Sequence, residues 1–117
     1  MSNTGYKTTP RLRKGLHMAV MAFCDEHKTT MKRVARMGIA SIYFGLRPSQ
    51  AIRDKVEKLS AEPGRVKTTI WFSPDDKEIL WSYGLAGGKT LATAIGEVLM
   101  TGMDVWDSPD EVLRSYM

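Results

Sequence analysis

A single cysteine, Cys24, excludes an internal disulfide and fits a reducing, cytoplasmic setting. No apolar run approaches the roughly 20 residues of a membrane span. Met1 to Gly5 is polar and offers no apolar signal core, so it reads as a tail. Only two histidines occur, His17 and His27, and neither has Cys or acidic residues at ligand spacing. No metal and no cofactor is expected. Asp25-Glu26 and Asp75-Asp76 read as helix-end charges rather than a catalytic pair. Cys24 has no base at a suitable spacing, so it reads as a packing residue. Gly84-Leu-Ala-Gly-Gly-Lys-Thr90 has the look of a phosphate loop but not its spacing. The first glycine would have to stand at Tyr83, and a strand, not a helix, would have to precede it. The expectation is a protein without catalysis.

The 117 residues suit one compact domain or two very small units sharing a core. The net charge of +4 is unevenly placed. Residues 1–65 hold 13 Lys/Arg against 5 Asp/Glu, whereas residues 66–117 hold 4 against 8. Such asymmetry suggests that the first half faces a polyanion, the plainer alternative being a solvated basic face.

The chain nearly repeats itself after sixty residues. Lys7-Thr8-Thr9 returns as Lys67-Thr68-Thr69. At the same step Phe23 falls on Tyr83, Thr30-Met31 on Thr90-Leu91, and Gly38-Ile39 on Val98-Leu99. What repeats is an order of elements: a short alternating stretch, a helix, a turn and a second helix. In the first copy Tyr6, Thr8, Pro10 and Leu12 share one strand face, and Lys7, Thr9, Arg11 and Arg13 the other. In the second, Val66, Thr68, Ile70 and Phe72 oppose Lys67, Thr69 and Trp71.

Ser73-Pro74-Asp75-Asp76 is a strong helix start, with a capping serine, a first-turn proline and two carboxylates at the positive end of the dipole. That helix is expected to run to about Ala86, with Ile79, Leu80 and Tyr83 inward and Gly87-Gly88 as its stop. Its counterpart spans about Leu16 to His27 from a poorly capped start, with Leu16, Ala19, Val20 and Phe23 inward. The second helices begin near Thr30 and Thr90. Their inward faces are Met31, Val34, Ala35, Gly38, Ile39 and Ile42, then Leu91, Ala94, Ile95, Val98 and Leu99. Gly45 and Gly102 read as stops. Between the copies, Ile52, Val56 and Leu59 stripe a connecting helix ended by Glu62-Pro63-Gly64. Ser108-Pro109 opens a short final helix. Met18, Met21, Met37, Met100 and Met103 read as packing residues. Trp81 and Met21 hint at a second contact surface.

One strand per copy leaves unpaired amides and carbonyls, so the two strands should pair with each other. Four helices packed on one face would support such a ribbon. With this order, and with the strand ending Ile70-Trp71-Phe72-Ser73-Pro74, the chain resembles the ribbon-helix-helix fold of the MetJ/Arc repressors. The match is good over 66–103 and weaker over 6–45. The implied fold is mainly α with a small β ribbon: a tandem ribbon-helix-helix in which an intramolecular two-stranded antiparallel sheet joins four core helices and a linker helix. The divisions are a tail at 1–5, a first unit at 6–45, a linker at 46–65, a second unit at 66–103 and a C-terminal tail at 104–117. Two copies on one chain resemble TraY-type conjugation and mobilisation proteins. The resemblance implies a monomer in fold terms, able to self-associate on double-stranded DNA. It also implies a relaxase or another relaxosome protein as partner.

The resemblance assigns base reading to Lys7, Thr9, Arg11, Lys67, Thr69 and Trp71. A two-stranded ribbon fits the major groove, where Arg and Lys reach guanine acceptors and Thr reaches either edge. The alternative is the ordinary solvent face of a half-buried sheet, with Trp71 either exposed or covered by a neighbour. Phosphate contact is implied for Arg13, for Thr29 and Thr30 with Lys32, Arg33 and Arg36, and for Lys89 and Thr90. Free amides at the starts of the second helices suit an anion. Pro10 has no amide hydrogen, so the first strand should lose a bond there. The leading expectation is a sequence-specific DNA-binding accessory factor in plasmid conjugation or mobilisation. The alternatives are a phage or plasmid repressor and a protein-binding, antitoxin-like module on the same fold.

Overall fold

In a computed structural model of the chain, residues 5–61 and 63–106 are described. The elements are β1 (Tyr6–Thr8), β2 (Arg11–Arg13), α1 (Lys14–His27), α2 (Met31–Tyr43), α3 (Gln50–Leu59), β3 (Arg65–Lys67), β4 (Ile70–Phe72), α4 (Pro74–Ala86) and α5 (Leu91–Val105). The fold is mainly helical with a small antiparallel β element. Residues 1–4 of the expected tail at 1–5, and the expected final helix from Ser108, lie outside the described residues.

The strands pair as β1 with β4 and β2 with β3, both antiparallel. Tyr6 faces Phe72 and Thr8 faces Ile70, while Arg11 faces Lys67 and Arg13 faces Arg65. Both ladders share one register. Carried through the break, it sets Thr9 opposite Thr69, each residue facing its counterpart sixty positions away. Pro10 explains the break. Its carbonyl accepts from Thr68 N–H at 2.9 Å, but proline has no N–H to return the bond. The chain repairs part of the loss with side chains. The Thr8 hydroxyl donates to the Ile70 carbonyl at 3.1 Å, and that of Thr68 to the Val66 carbonyl at 3.2 Å.

The helices begin where the sequence supplies caps. Thr30, Ser49, Ser73 and Thr90 each accept from the amide three residues on. α1 has no side-chain cap and follows β2 directly, starting at Lys14 rather than Leu16. It ends on Lys28, whose φ of 51° is left-handed and turns the next amide, of Thr29, onto the Cys24 carbonyl at 3.0 Å. One buried cluster draws on both halves, including Leu12, Val20, Val34, Ile39, Ile70, Leu80, Ile95 and Leu99.

At its centre α2 crosses α5 without intervening side chains. A Cβ on Gly38 would lie 1.8 Å from the Val98 carbonyl oxygen, and one on Gly102 would lie 2.1 Å from that of Val34. Gly38 and Val98 are again sixty residues apart. Gly102 is therefore not a helix stop. It lies inside α5, where only hydrogen fits, and the helix continues to Val105. Gly45 does follow the end of α2, at a φ of 93°.

Other inward assignments shift. Tyr6 and Leu91 are exposed, and Ile79, Tyr83, Phe23 and Met31 are half-buried. The Lys77 ammonium stands 4.4 Å from the Tyr6 ring, so the ring turns outward to a cation. Met18 and Met21 are 53% and 49% exposed and do not pack in the core, whereas Met103 does. Among the described residues no helix is long and apolar enough to cross a membrane.

Candidate nucleic-acid interface

Strand alternation sorts the ribbon into two faces. Thr8, Pro10, Leu12, Thr68, Ile70 and Phe72 are buried, whereas Lys7, Thr9, Arg11, Lys67, Thr69 and Trp71 are all exposed. The register places Arg11 beside Lys67 at one end and Lys7 beside Trp71 at the other. Trp71 is 43% exposed. The two ends of this face therefore differ: one carries two cations, the other a cation and an indole.

Each end of the ribbon meets the first turn of a helix. Trp71, Phe72 and Ser73 line a recess with Lys32, Arg36 and Asp76. Arg36 lies 3.8 Å from the Asp76 carboxylate. Burial raises the Asp76 carboxyl above its ordinary value, against the pull of Arg36 and a bond from Ser73. Lys32 and Arg33 are exposed one turn from the Thr30 cap, which accepts from Arg33 N–H at 3.3 Å. The Thr29 hydroxyl is buried and makes no hydrogen bond.

At the other end Arg13, Arg53 and Arg65 surround a cleft of about 200 Å³ with Glu57 and Glu97. Arg13 donates to Glu57 at 2.5 Å and holds that carboxyl below its ordinary value. Arg65 donates to the Arg11 carbonyl at 3.2 Å. Arg53 and Lys89 each lie 3.9 Å from Glu97. The Tyr83 hydroxyl also donates to Glu97. Burial, with this bond and charge, pushes the phenol up to about 12. Lys89 further lies 5.3 Å from the Tyr83 ring. Its ammonium is thus held beside α5, while Thr90 caps that helix by accepting from Thr93 N–H at 3.2 Å.

The predicted residues thus fall into an outward ribbon row and two flanking helix starts, apart from Arg13, which ends β2 engaged with Glu57. The α2 start is the more cationic; at the α5 start Lys89 is already engaged. Arg65 and Arg53 belong to the same basic surface and were not among the expected residues. The inside-outside alternation of β3 extends two residues back from Lys67 to Arg65, so that signal was present. Nothing in the spacing of α3 brings Arg53 to the ribbon. Among the described residues no group of three or more His, Cys, Asp or Glu could hold a metal. The stretch from Gly84 to Thr90 forms the end of α4, a turn through Gly88 at a φ of 62° and the cap of α5. Comparison with protein-family models, curated proteins and solved structures finds no match for this chain.

Proposed function

We propose that the protein binds double-stranded DNA by laying its ribbon in the major groove. The observation that carries this reading is the outward row itself. Six side chains, Lys7, Thr9, Arg11, Lys67, Thr69 and Trp71, stand exposed on one narrow antiparallel strip. Such a strip is thin enough for a groove about 12 Å wide. Arg11 and Lys67 supply donors to guanine, and Thr9 and Thr69 contact either base edge at the centre. Lys32, Arg33 and Arg36 then meet phosphate beside the free amides of α2. Because the two ends carry different residues, the site is not a simple palindrome. Within this reading we place the chain as a relaxosome accessory factor in plasmid transfer, working beside a relaxase. Repression of a phage or plasmid promoter is the alternative use of the same surface. Exposed Leu85, 80% open, favours a second reading in which the chain also grips a protein.

Fluorescence-anisotropy titration of labelled plasmid fragments at two salt concentrations tests the proposal. Four to six phosphate contacts predict an affinity loss of about two to three orders of magnitude between 50 and 200 mM salt. An affinity that ignores salt, or no binding at 50 mM, removes DNA as the ligand.

A further inference from the structure

Helix α3 fills one groove of the core, and the sixty-residue step points to a second groove. α3 lies against α1 and α5. The Ser49 amide and hydroxyl donate to the Asp104 carboxylate at 2.6 and 3.0 Å, fixing its start at the end of α5. Arg53 reaches Glu97 on α5 at 3.9 Å. Its last turn rests on Gly15, where a Cβ would meet the Val56 carbonyl at 2.6 Å. The step turns α1 and α5 into α4 and α2. Ala19 and Met103 are buried, whereas their counterparts Ile79 and Tyr43 are half-buried and 60% exposed. With Ile42, Glu78, Ser82 and Tyr83 they line a cleft of about 450 Å³.

The same step carries α3 and the two residues before it onto positions 108–119, of which the sequence holds 108–117. Ile52 and Val56, its two buried residues, fall on Val112 and Tyr116. Ser108-Pro109-Asp110-Glu111 repeats the chemistry of Ser73-Pro74-Asp75-Asp76, which opens α4. The contacts change in matched pairs. Arg53 and Glu97, an ion pair, become Leu113 and Met37. Ser49 and Asp104, a hydrogen-bonded pair, become Pro109 and Phe44. Both members turn apolar each time; a segment that met nothing would have no cause to change with its counterpart. The two second helices end differently, α2 at Tyr43 and α5 at Val105, yet each exit brings a residue to the same position of the other copy's first helix. Trp106 stands edge-on to Phe23 with ring centroids 5.8 Å apart, and Arg47 lies 4.8 Å from the centre of Tyr83, the counterpart of Phe23.

We infer that residues 108–117 dock as a second α3 in the cleft between α2 and α4, in the same chain. The inference stands apart from DNA binding.

A double-mutant cycle on the full chain tests it. Met37→Glu and Leu113→Arg transplant the ion pair of the other groove. Each alone should lower the melting temperature by about 3–6 °C, and together they should recover at least half of the summed loss. Additive losses overturn the inference. If Met37→Glu fails to fold, Val112→Asp replaces it. It should shift the NMR signals of Ile79 and Tyr83, and shifts confined to other parts of the core overturn docking at this cleft. A rescue that grows with protein concentration assigns the segment to a second copy and overturns the intramolecular form.

Discussion

Alanine at Gly38 is expected to destabilise the fold by about 3 kcal/mol, a large share of the roughly 5–15 kcal/mol that keeps a small domain folded. The new methyl would stand 1.8 Å from the Val98 carbonyl oxygen and 2.6 Å from its carbon. Both are backbone atoms in mid-helix, with no rotamer to absorb the clash. α2 and α5 would have to separate, loosening the packing around Val34, Ile39, Ile95 and Leu99. Helix propensity alone predicts the opposite sign, a gain of about 1 kcal/mol for Gly→Ala. Urea unfolding therefore distinguishes a packing glycine from a merely tolerated one. Gly102→Ala should behave similarly, since its methyl would meet the Val34 carbonyl at 2.1 Å. Gly96→Ala is the control: its nearest neighbour is the movable Leu16 Cδ2, at 3.1 Å. A Gly38→Ala chain as stable as the parent would mean that the two helices do not approach so closely.

Arg11→Ala and Arg33→Ala should weaken DNA binding in different ways. Arg11 stands on the outward ribbon face beside Lys67, where a guanidinium can pair with guanine. Its loss should cost about 1–3 kcal/mol on the preferred sequence and little on others, flattening discrimination at one or two base pairs. Arg33 lies exposed in the first turn of α2, outside the strands. Its loss should weaken all sequences about equally and reduce the salt slope by about 1. Titrations of both variants on matched and scrambled fragments read the two patterns. Identical behaviour would erase the division between base reading and phosphate contact.

The ribbon was legible because its signal is local. Alternation around Lys7-Thr8-Thr9 and Lys67-Thr68-Thr69 fixes which residues point outward, and the repeat fixes what each strand pairs with. Pro10 announced the break in the ladder, since a missing N–H needs no tertiary context. The helix starts at Thr30, Ser73 and Thr90 were equally readable. Gly102 was not. A glycine late in a helix can end it or admit a neighbour, and only the arrival of Val34 decides which. Tyr6 falls on the buried side of the alternation but at the end of the sheet, where Lys77 draws its ring outward. The tether on Lys89 was hidden for the same reason, because it depends on α4 and α5 bringing Tyr83 to Glu97. Long-range polar contacts of this kind leave no period in a sequence.

The central claim is that the outward ribbon face occupies the major groove. Methylation interference measures it most directly. Methyl groups placed on guanine N7 project into the major groove, whereas those on adenine N3 project into the minor groove. The account predicts that N7 methylation at two or more guanines blocks binding while N3 methylation at neighbouring adenines of the same site does not. Blockage by adenine N3 methylation, with N7 methylation tolerated throughout, would contradict it.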